Sequence, residues 1–218
     1  MITTFTDFLD KKSYTPSVIF DIGSRDCKQS VEFTRKYPNA KVFAFEANPD
    51  TIPLCKKNIQ HFPNITLVEG AVHEYNGMVD FYKIDTAKTR TTWADGNPGA
   101  SSLFIANGTY PHEYYIQNKV TVPCFRLDTI CKKYSISPDT IWIDLQGAEL
   151  LAFKSLGSYL VDCKYIHTEV SHKPIYNGQC MFSEVDSFLT EANFKRNRVP
   201  NTTNWQEDII YDSDYSST

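Results

Sequence analysis

The apolar run Val18-Ile-Phe-Asp-Ile-Gly23 constrains this chain more than any other segment, because of the acid that lies downstream of it. A second apolar run, Lys41-Val-Phe-Ala-Phe-Glu46, ends in that acid at about the 20-residue interval that separates the first two strand ends of a nucleotide-binding βαβ unit. The first run reads as a buried parallel strand entering a tight turn, where Gly23 permits positive φ or close approach of the backbone to a ligand. Glu46, closing the second strand, is placed to accept hydrogen bonds from both hydroxyls of a ribose. Bonds to a charged acceptor contribute roughly 1.5–3 kcal/mol each. The pairing points to a ligand that contains adenosine.

The alternation of strand and helix continues along the chain. Residues 1–17 read as a short amphipathic helix or arm carrying Phe5, Phe8 and Leu9. Helical spacing marks 26–37, a helix opened by Asn48 as N-cap and Pro49 and ending near Ile59, and then Leu127–Tyr134, Ala148–Leu160 and Met181–Ala192. Further strands are expected over Ile65–Glu69, Ile141–Asp144 and Tyr165–Val170, with a late pair at 194–199 and 207–212. Two strand-like runs, Met78–Ile84 and Lys119–Cys124, interrupt the alternation and enclose a polar segment, 85–118. A structureless loop of that length is uncommon in a compact domain, so it reads as a lid or binding loop. Residues 213–218 read as a frayed tail. The order predicts one domain over 1–218, of the α/β class: a doubly wound, mostly parallel sheet with helices on both faces. The closing strand pair adds an antiparallel strand at the sheet end.

Bulk properties remove several classes of function. The net charge is −4 and no Lys/Arg run exceeds two residues, so there is no electrostatic footprint for nucleic acid. No apolar stretch approaches the roughly 18 residues of a membrane span. The first residues lack a basic start followed by an apolar core, so no secretory signal is read and a cytoplasmic location is expected. Six cysteines are scattered without any Cys-x-x-Cys, and read as reduced, mostly buried thiols. Aromatic residues make up 14%, which serves either packing or an aromatic-lined pocket.

The turn Asp21-Ile-Gly23-Ser-Arg-Asp-Cys27 holds one glycine, whereas a dinucleotide turn uses three to seat a pyrophosphate on a helix N-terminus. A nucleoside without phosphates fits better, and S-adenosylmethionine is such a ligand. The missing glycines disfavour a nicotinamide oxidoreductase. Several motifs then add up: Asp21-Ile-Gly23, Phe45-Glu46-Ala-Asn-Pro49, Glu69-Gly-Ala-Val72, Ser101-Ser102, Arg126-Leu-Asp128 and Ile143-Asp144-Leu-Gln-Gly147-Ala-Glu149-Leu. Together, over about residues 17 to 195, they resemble the FkbM-type methyltransferases, which have the seven-stranded, Rossmann-like class I S-adenosylmethionine-dependent fold.

The resemblance implies that Asp21, Gly23 and Ser24 line the methionine arm of the cofactor and that Glu46 binds the ribose. Ala47 and the Gly70-Ala71 turn would flank adenine, with Asp144 beside the transferred methyl and the acceptor. It also implies methylation of a hydroxyl, on a sugar, a glycan or a small metabolite, with a glycan or sugar nucleotide as the first expectation. The chain departs from the family at Cys27, where a second glycine is usual. It departs again at Trp142-Ile-Asp144-Leu-Gln146-Gly147, where Lys-Ile-Asp-Val-Glu-Gly is common. These losses leave open a binding module that keeps the fold without turnover.

A hydroxyl acceptor calls for a general base, and candidates stand at the carboxyl ends of the strands, where open α/β sheets bind ligands. Asp144, Glu169 and His172 are the catalytic candidates. Each has a plainer alternative: a helix-dipole partner for Asp144, a costly buried charge unless it faces a cleft for Glu169, and a solvated loop residue for His172. Glu149, Ser101 and Ser102 are candidates for acceptor binding, against roles in the helix N-terminus and in an ordinary polar loop. A divalent cation on Asp144, Glu169 and His172 is not favoured, since these residues lack any short ligand spacing.

Overall fold

The computed structural model describes residues 4–197 and 201–213. The tail expected to fray beyond Ser213 and the last residues of the strand expected over 194–199 lie outside them. Alternation along the first strands divides the apolar side chains between two cores. In β1 (Val18–Ile22), Ile19 faces one way and Phe20 and Ile22 the other; in β2 (Lys41–Glu46), Val42 and Ala44 oppose Phe43 and Phe45. The first face is covered by α1 (Phe5–Lys11), α2 (Lys28–Lys36) and α3 (Ile52–Ile59), through Phe5, Phe8, Leu9, Val31, Phe33 and Cys55. The second is covered by α4 (Leu127–Tyr134), α5 (Glu149–Leu156) and α6 (Phe182–Glu191), through Ile130, Ala152, Phe153, Val185 and Leu189. Fully burying a Leu, Val or Phe side chain contributes roughly 1.5–3 kcal/mol, so both helical layers are needed to hold the sheet.

With β3 (Ile65–Glu69), β7 (Thr140–Ile143), β8 (Tyr165–Ser171), β9 (Phe194–Arg196) and β10 (Gln206–Ser213), the seven-stranded sheet runs β3-β2-β1-β7-β8-β10-β9. The first five of these pair in parallel, and β10 runs antiparallel to both β8 and β9. The antiparallel strand therefore lies inside the sheet, not at its end. Its core side chains Ile209 and Tyr211 are fully buried, and the shorter β9 takes the edge.

The interruption builds a second sheet. β4 (Ala71–Val72), β5 (Gly77–Ile84) and β6 (Gln117–Phe125) pair in the order β4-β6-β5. The polar segment between β5 and β6 is not structureless. Backbone bridges pin it at Tyr82–Ser102, Arg90–Tyr114 and Ala106–Tyr176, and a 3-10 turn forms at Pro98–Ala100. It is a strap laid across the carboxyl ends of the main strands.

Two helix ends differ from the sequence reading. Asn48 does not cap α3; its Oδ1 accepts the Asp50 amide at 3.0 Å and closes a separate turn, so the helix starts at Ile52. α5 stops at Leu156, because Gly157 takes φ 56° and the chain continues as a 3-10 turn. Among the described residues, no helix is long and apolar enough to cross a membrane. All six cysteines are free and buried.

Candidate active site

The carboxyl ends of β1, β2, β3, β7 and β8 open into a cavity of about 620 Å³. Its first half is built on the turn after β1. The Gly23 and Ser24 amides both donate to the Phe45 carbonyl, at 3.0 and 2.9 Å, which ties that turn to the end of β2. Gly23 has φ 86°, and a Cβ there would lie 1.9 Å from the Asp144 carbonyl oxygen. Only glycine lets β1 and β7 approach so closely. Arg25 and Cys27 also take left-handed φ, of 54° and 60°, so Cys27 meets with a side chain the conformation that a glycine adopts without strain.

Glu46 lines this half and is 7% exposed. Its Oε2 accepts the Arg25 amide and its Oε1 the Asn48 amide, both at 2.7 Å. Burial outweighs these two amides and pushes its carboxyl up to about 7. Ala47, Gly70, Ala71 and Val72 continue the wall, and Phe81 and Leu103 close it from the second sheet and the strap. The result is a slot with an apolar lining and one buried carboxylate.

The second half gathers acids and aromatic rings. Asp144 and Glu169 are held on one donor, the Gln146 side-chain amide, at 2.7 and 3.0 Å. Gln206 at the start of β10 donates to the same Glu169 oxygen at 2.6 Å. Removal from water raises the Asp144 carboxyl. Removal from water, reinforced by Asp144, Asp208 and Glu149, raises that of Glu169 well above the usual carboxylate range. The two carboxyls share the Gln146 donor and titrate as a unit. Tyr110, His112, Glu113 and Tyr115 come from the strap. Tyr115 stacks on Tyr176 at 6.0 Å, and its hydroxyl is raised by burial and then by Glu113. Arg25 ties the strap to the first half: its guanidinium reaches Asp95 at 2.6 Å and lies 4.7 Å from the centre of the Trp93 ring.

Of the residues singled out in the sequence, Gly23, Glu46, Ala47, Gly70, Ala71, Ser101, Asp144 and Glu169 line this cavity. The structure does not bring the others to its wall. Asp21 is buried towards α2, where its Oδ2 accepts the Ser30 hydroxyl while Oδ1 has no partner, and burial raises it to about 6. Ser24 donates to the Asp21 carbonyl at 2.7 Å. Ser102 donates to the Gln146 carbonyl at 2.8 Å, clasping the strap to the turn after β7, and Ser101 does likewise to Pro98 at 2.7 Å. Glu149 folds under its own turn: Oε1 accepts the Leu145 and Gly147 amides at 2.8 and 3.2 Å. His172 turns away, packing on Phe182 and facing Glu207 at 3.3 Å with its side chain 5% exposed. It therefore does not share a site with Asp144 and Glu169.

The family model for the methyltransferase FkbM domain matches residues 21–196, which span both halves of this cavity. The chain belongs to the FkbM methyltransferase family. It is similar to the 2-O-methyltransferase NoeI of Sinorhizobium fredii, 28% identical over 187 residues that cover 82% of this chain and 75% of that protein. Among solved structures it resembles the fibrillarin pre-rRNA processing protein of Methanococcus jannaschii, with a TM-score of 0.52 at 10% identity, covering 91% of this chain and 66% of that one. It also resembles fibrillarin of Aeropyrum pernix with natively bound S-adenosyl-L-methionine, with a TM-score of 0.51 at 8% identity, covering 90% and 66%. Those two likenesses concern the fold.

This FkbM methyltransferase depends on S-adenosylmethionine, and its residues fit that cofactor. The Gly23 turn, too tight for any side chain, borders the slot, and Glu46 supplies an acid for a ribose. The single glycine leaves no cradle for a pyrophosphate. Where the FkbM pattern commonly has glutamate, Gln146 brings a neutral amide whose nitrogen serves two acids at once. A carboxylate there would set a third acid against the two and supply no amide donor to either.

The residues that sequence reasoning missed are Arg25, Trp93, Tyr110, Glu113, Tyr115, Gln206 and Asp208. A signal existed for the strap, whose aromatics cluster over Trp93–Tyr115. It existed less for β10, whose Asp208 becomes relevant only through its register opposite Glu169.

Proposed function

We propose that this enzyme methylates a hydroxyl oxygen of a neutral sugar, glycan or similarly hydroxylated small molecule, with Asp144 and Glu169 handling the acceptor proton. The cofactor supplies an activated methyl group. The chain's task is to align the acceptor oxygen with it and to take the proton as the carbon–oxygen bond forms and the carbon–sulfur bond breaks. Alignment of this kind is worth roughly 7–11 kcal/mol in well-oriented systems.

The observation that carries the reading is the shared Gln146 amide, which holds both carboxyls at the cavity wall beside the Gly23 turn. Two acids whose surroundings separate their proton affinities suit two roles. Asp144, whose carbonyl abuts the Gly23 turn, accepts the hydroxyl proton; Glu169, held by Gln146 and Gln206, orients the acceptor by hydrogen bonding. Glu46 holds the ribose and the slot of Ala47, Gly70 and Ala71 holds adenine. The name of the relative from Sinorhizobium fredii supports an oxygen acceptor. The six free thiols fit the reducing cytoplasm.

The test uses methyl-labelled S-adenosylmethionine and a broad acceptor panel with the wild type, Asp144→Asn and Glu169→Gln. The label is expected in a methyl ether, and loss of the base is expected to lower kcat by roughly 10²–10⁴. Cofactor affinity should stay within a few-fold. Label on nitrogen or carbon, or two fully active variants, refutes the assignment.

A further inference from the structure

Beside the main cavity lies a second, of about 260 Å³, lined by Tyr110, His112, Thr203, Asn204, Trp205 and Gln206. Tyr110, His112 and Gln206 line both, so the two adjoin. Gln206 is also the residue that donates to Glu169 at 2.6 Å. The second cavity thus begins where the acceptor oxygen is handled and leads outwards between the strap and the loop before β10.

Resting on the acceptor reading above, we infer that this second cavity is a subsite for a further neutral sugar ring, and that the acceptor is an oligosaccharide of at least two rings. The lining combines the two kinds of group that such a ring uses. Trp205 and Tyr110 present aromatic surface to its C–H face; their rings stand 5.7 Å apart at 71° and so form a corner, not a stack. Thr203, Asn204 and Gln206 present a hydroxyl and two carboxamides, which both donate and accept as sugar hydroxyls do. Trp205 is held in place: the Lys173 ammonium lies 5.2 Å from the centre of its ring, and its carbonyl accepts the His172 amide at 2.9 Å.

Charge selects among acceptors. Five acids, Glu46, Glu113, Asp144, Glu169 and Asp208, line the neighbouring cavity, and its arginine, Arg25, is engaged with Asp95. A phosphate or carboxylate next to the reacting hydroxyl would be repelled, which disfavours nucleotide sugars and uronic acids. The Lys173 ammonium lies against the Trp205 ring, so an acidic second ring is the alternative that the test must separate.

Initial rates are measured with labelled cofactor on panels of neutral monosaccharides, neutral di- and trisaccharides, acidic disaccharides and nucleotide sugars, using the wild type and Trp205→Ala. For the best two-ring acceptor, KM is expected to be at least about tenfold below that of its one-ring fragment, and Trp205→Ala to erase that advantage. kcat on the one-ring fragment and the cofactor Kd should not change. Equal KM for one- and two-ring acceptors, or an advantage that Trp205→Ala leaves intact, overturns the subsite. Preference for acidic disaccharides or nucleotide sugars overturns the neutral assignment. Simple non-carbohydrate alcohols run beside the sugars separate the two failures: methyl ethers formed only there overturn the oligosaccharide assignment and leave the hydroxyl reading standing, whereas label on nitrogen or carbon overturns both.

Discussion

Replacing Glu46 by glutamine separates the ribose interaction from the rest of the cofactor site. Both Glu46 oxygens accept backbone amides at 2.7 Å, and the side chain is 7% exposed. In Glu46→Gln one oxygen becomes an NH₂ that must face an amide donor. That loss weakens free and bound enzyme alike, so it lowers stability without entering the affinity. The affinity term is the charged acceptor offered to the ribose, worth roughly 1.5–3 kcal/mol, or about a 10- to 150-fold rise in Kd. A second signature comes from the carboxyl being raised to about 7. At pH 6 only about a tenth of the sites are ionised, so the wild type binds about tenfold more weakly than at pH 8.5 and releases close to one proton per cofactor bound. Isothermal titration at pH 6, 7 and 8.5, in buffers of different ionisation heat, measures both quantities. The cofactor's own amino group titrates in this range, so the difference between wild type and variant is the decisive number. A variant with wild-type affinity, or the same proton release as the wild type at pH 6, refutes the ribose assignment.

Three further outcomes are expected. Asp21 is raised to about 6 and Glu46 and Glu149 to about 7, so the folded state holds protons that the unfolded chain has already lost. Their stabilisation is full below about pH 4 and disappears as pH rises through 6–7; calorimetry of the ligand-free protein should show Tm about 10–20 °C lower at pH 8 than at pH 5.5, and a flat profile contradicts this. Glu149→Gln keeps an oxygen for the Leu145 and Gly147 amides while removing a buried charge, so Tm at pH 8 should hold or rise with unchanged acceptor KM; Glu149→Ala orphans both amides and should cost roughly 2–6 kcal/mol in denaturant unfolding. Arg25→Ala removes the strap's contacts to Asp95 and Trp93, each worth roughly 0.5–1 kcal/mol, and limited proteolysis within 85–116 should accelerate about tenfold.

The cofactor half was legible because its signals are local. The Gly23 turn, Glu46 and Gly70-Ala71 each end an apolar run, and a strand end in an α/β sheet has one place to be. Asp144 and Glu169 were legible for the same reason. His172 stood beside them in sequence, yet β8 runs on to Ser171 and the next side chain turns to Glu207. Periodicity cannot see such a turn. Glu149 and Ser102 looked like ligand groups because polar residues in turns do; in fact they satisfy backbone groups that the tight turn after β7 leaves open. The acceptor half was illegible because it is made by distant partners. Tyr115 meets Tyr176 across the strap, and Gln206 meets Glu169 only through the antiparallel register of β10.

That register has a consequence for how the enzyme comes into being. β10 is the last described strand in chain order, yet it is threaded between β8 and β9, both made before it, and carries Gln206 to Glu169. A chain ending before Gln206 keeps the residues that line the first half of the cavity, but its Glu169 loses the Gln206 donor and is left with the Gln146 amide, and β8 has an open edge. The seating of Glu169 is thereby tied to the presence of β10, and a chain truncated before Gln206 is expected to lose methyl transfer before it loses cofactor binding.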